Sequence, residues 1–122
     1  MNSSAHSILK IYASSTDKIG FDLLYEHIVL IAKQKGIAGV TVYRGIMGFG
    51  LSNNQIETSR FWELTEKLPV VIEIIDNTEV IDNFYKLIET DLLKLPKGCL
   101  VTFHPIEIKL QKSGKNLIYR QE

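Results

Sequence analysis

The sequence predicts an α+β fold in which four strands and two helices follow one another in the order β-α-β-β-α-β. Three observations carry that expectation: period-two alternation near both ends of the chain, a nearly continuous apolar run at 68–76, and two apolar stripes at helical spacing between them. At residues 7–13, Ile8, Lys10 and Tyr12 alternate with Leu9, Ile11 and Ala13, as in a strand with one buried face. A polar turn at 14–18 follows. Leu24, Ile28, Ile31 and Ala32 then fall at i, i+4, i+7 and i+8, on one side of a helix that Gly36 is placed to end. The second strand lies within 39–46, where Val40, Thr41, Val42 and Tyr43 fit a pleated surface. Val70, Val71, Ile72, Ile74 and Ile75 make 68–76 apolar on both faces, which marks a central strand. Asp76, Asn77 and Thr78 offer N-caps to a second helix striped by Ile81, Phe84, Ile88 and Leu92 and ended by Pro96 and Gly98. Alternation resumes at 100–103 and 106–110 on either side of Pro105, which predicts one interrupted strand near a sheet edge. The polar tail from Ser113 onward is expected to be mobile.

This order predicts a ferredoxin-like four-stranded antiparallel sheet with both helices on one face, in a single domain over 1–122 whose core runs from about 7 to 112. The other face is left open, and Ile8 or Leu9, Val70 or Val71, and Ile106 or Ile108 must point toward it. An apolar open face predicts oligomerisation, because monomers rarely expose large apolar patches.

Composition narrows the function classes. Fourteen basic and fourteen acidic side chains cancel, so no overall field steers the chain toward nucleic acid or an anionic membrane. The one cysteine, Cys99, cannot form an internal disulfide, and the polar start of the chain does not read as a signal peptide, so a cytoplasmic location is expected. The longest apolar run, around 28–32, is far short of the roughly 18–20 residues of a membrane span.

The most informative segment joins the second and third predicted strands. At 44–67 it is much longer than the roughly two to five residues of a hairpin loop. It opens with Arg44-Gly45-Ile46-Met47-Gly48-Phe49-Gly50, where glycines allow close backbone approach and successive N–H groups can form an anion-binding nest. The same glycines also suit a simple bulge and turn, and the Gly-Lys-Ser/Thr ending of a P-loop is absent. Further along, Phe61 and Trp62, with Leu51, Ile56 and Leu64, are too apolar for a freely solvated loop; they fit either a partner contact or packing on a neighbouring subunit. Arg44 and Arg60 suit a phosphate or carboxylate, or structural pairs with Glu57 or Glu63.

Tyr25-Glu26, the stretch from Ile37-Ala38-Gly39 through Tyr43-Arg44-Gly45-Ile46-Met47-Gly48-Phe49-Gly50, and Leu68-Pro69 through Ile75-Asp76 resemble the family catalogued as domain of unknown function 190, over about residues 8–110. That family is similar to the PII signalling proteins, which implies ferredoxin-like subunits in a homotrimer and a long T-loop between the second and third strands. It also implies adenine-nucleotide sites in clefts between subunits. By this resemblance Gly48-Phe49-Gly50 matches the Gly-Phe-Gly at the T-loop base, Lys97-Gly98 lies where PII has a Gly/Lys-rich phosphate loop, and Lys112-Ser113-Gly114 lies where PII has Arg-x-Arg-Thr-Gly. Only Lys112 stands where PII has two arginines, the Gly/Lys-rich loop is shortened, and the modified T-loop tyrosine has no clear counterpart. Those departures favour a ligand smaller or less charged than ATP.

The resemblance thus implies a trimeric regulator that needs no cofactor. It would take a small ligand, with an adenine nucleotide among the candidates, at Gly48, Phe49, Gly50, Lys97, Gly98 and Lys112, to which the reading of the loop residues adds Arg44 and Gly45. A partner protein, a membrane transporter or channel by the same resemblance, would meet Arg60, Phe61 and Trp62. No catalytic constellation is evident, and His6, His27 and His104 lack neighbours at metal-ligand spacing, so neither an enzyme nor an intrachain metal site is expected. His27 fits a partly buried surface position, and Cys99 a small hydrophobe. RNA-binding modules share the β-α-β-β-α-β order, but residues 70–75 contain no aromatic or basic side chain on which bases could stack. The same order is also compatible with a non-sensing trimeric scaffold, and with a small enzyme whose site lies at a subunit cleft.

Overall fold

The computed structural model describes residues 5–50, 57–58 and 67–114. Its main sheet contains β1 (His6–Ser14), β2 (Gly39–Arg44), β3 (Pro69–Asn77) and β4 (Leu100–Ile106) in the spatial order β2-β3-β1-β4, with every pairing antiparallel. Helices α1 (Leu24–Gln34) and α2 (Thr78–Leu93) complete an α+β architecture compatible with a ferredoxin-like fold. Two short ribbons, Lys18–Ile19 with Asp22–Leu23 and Met47–Gly48 with Glu57–Thr58, lie in connections that carry no strand pattern in the sequence.

Both interior strands obey the period-two rule. Leu9 and Ile11 on β1 face the same way as Val70, Ile72 and Ile74 on β3, since residues directly opposed across an antiparallel pair share a face. Leu24, Ile28 and Ala32 of α1 and Ile81, Phe84, Ile88 and Leu92 of α2 join them in one core, so the two helices bury against the same side of the sheet. Ile31, expected in the α1 stripe, is only partly buried at its margin. Gly36, at φ 74°, takes the left-handed conformation that ends α1, and Ile37 N–H donates back to the Ala32 carbonyl at 3.0 Å.

The open face is not uniformly apolar. Ile8 opposes Ile75, and Tyr43, Val71, Tyr12 and Leu100 form a row across all four strands. Between these apolar rows runs a polar one, Thr41, Glu73, Lys10 and Thr102. Opposite charges face each other at its centre.

Two further expectations need correction. Pro105 does not interrupt β4: it lies inside the strand, opposite Ser7, and is tolerated because β4 is an edge strand paired only with β1. The strand stops at Ile106, so 107–110 is not part of it. The predicted caps of α2 also serve another purpose. Asn77 makes no side-chain cap; the Asp76 carboxylate instead accepts N–H bonds from Ala38 at 2.8 Å and Asn77 at 2.6 Å, and the Thr78 hydroxyl bonds Ser7 Oγ at 2.7 Å.

His27 Nε2 and Asp91 Oδ2, 2.9 Å apart, tie α1 to α2 with side chains 25% and 30% exposed. His27→Ala is expected to lower stability by about 1 kcal/mol in urea unfolding. A change under about 0.2 kcal/mol would mark this contact as dispensable.

Candidate functional site

At one end of the sheet, β1 finishes where β3 and β4 begin, and a cleft of about 300 Å³ opens there. Tyr12 and Ala13 come from β1, Pro69, Val70 and Val71 from β3, and Gly98, Cys99 and Leu100 from the turn into β4. Phe49 and Gly50 add a wall from the long connection. The cleft therefore gathers the sheet end and the glycine-rich stretch into one concavity.

Hydrogen bonds fix its floor. Ser15 N–H donates to the Leu68 carbonyl at 2.8 Å, and Leu68 N–H donates to Ser15 Oγ at 3.0 Å. On the other side, Gly45 N–H donates to the Pro69 carbonyl at 2.7 Å. Pro69 itself lacks an N–H, and as the first residue of β3 it leaves no ladder bond unmade.

The lining is chiefly apolar, with the rings of Tyr12 and Phe49 exposed beside it. Burial pushes the Cys99 thiol above the ordinary thiol range, and the Asp17 carboxylate pushes it further the same way. Asp17 is buried and accepts the Ser14 N–H at 2.9 Å. The thiol therefore holds its proton to higher pH than a free thiol, and none of the residues lining the cleft is acidic or basic. The alkylation rate of Cys99 by iodoacetamide is expected to climb only above the pH at which a free thiol ionises; an inflection at or below that of a free thiol would contradict this environment.

The sequence-predicted residues divide accordingly. Phe49, Gly50 and Gly98 line the same cleft although nearly fifty positions separate them. Gly48 is half-buried beside the Pro69 ring, and Gly45 bonds Pro69 directly. Arg44 is exposed at the end of β2, opposite Val70, and Lys97 is exposed next to Gly98. Lys112 is exposed in the segment after β4 and is not among the residues lining the cleft. Arg60, Phe61 and Trp62 lie outside the described residues. Tyr12, Pro69, Val71 and Leu100 carried no functional signal in the sequence, since only strand register unites them.

Among the described residues no group of His, Cys, Asp and Glu is placed to hold a metal ion, and no helix is long and apolar enough to cross a membrane.

Comparison with known proteins agrees with the resemblance. The pattern of the family DUF190, described as "Uncharacterized ACR, COG1993", matches residues 6–108. A UPF0166 protein of Methanocaldococcus jannaschii is 38% identical over 98 residues, covering 77% of this chain and 89% of the relative. A UPF0166 protein of Aquifex aeolicus is 32% identical over 101 residues, covering 83% and 90% of the two chains. A second UPF0166 protein from that organism is 28% identical over the same length. With the match running from the first strand to just past the last, the chain belongs to the DUF190, or UPF0166, family.

Proposed function

We propose that the chain is a PII-like regulatory protein of the cytoplasm that binds a small ligand, with an adenine nucleotide the first to test, and passes its occupancy to a partner protein. The observation that carries this reading is the cleft: it brings Phe49-Gly50 to Gly98, two segments that the resemblance assigns separately to a nucleotide site. About 300 Å³ lies at the lower end of the usual range for small-molecule pockets. The apolar lining suits a base or a similar flat group. Lys97, next to Gly98, is the nearest cation in sequence for an anionic substituent.

The ligand site belongs, in this reading, to a homotrimer. Tyr12, Val71 and Leu100 line the cleft and also form part of the open sheet face, so assembly through that face would bring a neighbouring subunit over the cleft mouth. Lys112 would then act from the neighbour. The partner, a membrane transporter or channel, would meet the long connection through Arg60, Phe61 and Trp62. Catalysis and RNA binding have less support: the sequence holds no catalytic constellation, and Glu73 at the centre of the open face opposes a nucleic-acid strand despite the nearby Tyr12 and Tyr43.

The test is a thermal-shift screen of AMP, ADP, ATP, cyclic nucleotides and simple anions, with light scattering for subunit number. A nucleotide at about 100 times its dissociation constant adds roughly 2.7 kcal/mol of stability. A trimer stabilised by one nucleotide, with the effect lost in Phe49→Ala, is the expected result. A trimer indifferent to all of them would leave a scaffold without sensing, and a monomer would remove the PII-like assembly.

A further inference from the structure

At Gly45 the chain leaving β2 approaches the first residue of β3 more closely than a side chain permits. A Cβ on Gly45 would lie 2.8 Å from Pro69 Cγ and 3.4 Å from the Pro69 carbonyl oxygen, which already accepts the Gly45 N–H at 2.7 Å. The proline ring cannot swing aside as a long side chain would, and its residue is held opposite Ser14 in the sheet. Three residues later the chain meets the same ring again: a Cβ on Gly48 would stand 3.5 Å from Pro69 Cγ, at ordinary contact distance. The segment from Gly45 to Gly48 is thus folded over one ring. The next two residues, Phe49 and Gly50, line the cleft together with Pro69.

We propose that Gly45 is the positioning residue of this cleft. Its missing side chain lets the connection close on Pro69, and that closure fixes where Phe49 stands relative to Cys99 and Leu100. The inference rests on reading the cleft as the ligand site, but it concerns how the wall is held and not what the wall binds. A single methyl at position 45 displaces the base of the connection from Pro69, lengthens the 2.7 Å hydrogen bond and carries Phe49 with it. Gly39, at the start of β2, is the natural control, because a Cβ there meets nothing within 4 Å.

Cys99 lines the same cleft and reports on the wall without any ligand. The experiment measures its labelling by N-ethylmaleimide in the native protein, with circular dichroism checking the fold. Gly45→Ala is expected to raise the labelling rate about tenfold, and Gly39→Ala to leave it unchanged. Phe49→Ala should raise it similarly, and the Gly45→Ala/Phe49→Ala double variant no further, since both act through one wall. Removing the obstructing ring in Gly45→Ala/Pro69→Ala should restore the rate of Pro69→Ala alone, and this pair also serves if Gly45→Ala folds poorly. A wild-type rate in Gly45→Ala, additivity with Phe49→Ala, or absence of rescue by Pro69→Ala would overturn the proposal. Failure of every nucleotide to bind the wild-type chain, with this labelling pattern intact, would remove the ligand reading and leave the positioning role standing.

Discussion

Phe84→Ala is expected to lower the unfolding free energy by about 4 kcal/mol, among the largest effects open to a single core substitution. Phe84 is 3% exposed and lies in the α2 stripe with Ile81, Ile88 and Leu92, in the same cluster as Leu9, Ile11, Ile72 and Ile74 of the two interior strands. Truncation loses the transfer free energy of a ring and leaves a hole between helix and sheet, because close-packed surroundings relax only in part. For a chain of 122 residues this should bring the thermal midpoint down by roughly 15 °C. Phe84→Leu keeps most of the volume and should cost about 1 kcal/mol. Urea unfolding of both variants is the check. A loss under about 2 kcal/mol for the alanine variant would mean that α2 collapses onto the sheet and refills the space.

Phe84 was legible in the sequence because helical spacing exposes a buried stripe directly, and the same holds for Ile28 and Ala32 on α1. The interior strands were legible for the complementary reason: β3 is nearly all apolar, with Glu73 the one charged residue at its middle, and β1 alternates cleanly. The end of β4 was not. Residues 106–110 keep their alternation, yet a strand needs a partner as well as a pattern, and β1 begins at His6, which pairs with Ile106. Among the described residues, no pairing with β4 continues beyond that point. Pro105 pointed correctly to a sheet edge but wrongly to an interruption, since an edge strand with a single neighbour can hold a proline without breaking.

The candidate site divides along similar lines. Gly48-Phe49-Gly50 stood out as a compact motif, and Gly98 stood out through the resemblance. Tyr12, Val71 and Leu100 did not, because their adjacency is created by the registers of β1 with β3 and β4, which no local pattern encodes. The close approach of Gly45 to Pro69 was likewise invisible as a contact. The glycine could be noticed, but what it approaches is fixed only when β3 is placed beside β2.

At the opposite end of β3 from the cleft, Asp76→Ala should cost about 3 kcal/mol while leaving the cleft intact. Asp76 is fully buried, and its two carboxylate oxygens accept the N–H groups of Ala38 and Asn77. One side chain thereby ties the chain entering β2 to the junction of β3 and α2. Alanine would leave both amides without this acceptor, and hydrogen bonds to a charged group are worth more than neutral ones. Asp76→Asn keeps one oxygen acceptor, so roughly half the loss is expected. Seven residue steps of extended strand separate Asp76 from Pro69, about 23 Å at the rise of a β-strand. The variant should therefore unfold at lower urea concentration yet label Cys99 at close to the wild-type rate under native conditions. A loss under about 1 kcal/mol would show that other contacts hold this junction. Labelling as fast as in Gly45→Ala would show that β3 transmits disturbance along its length, and that its two ends do not serve stability and binding separately.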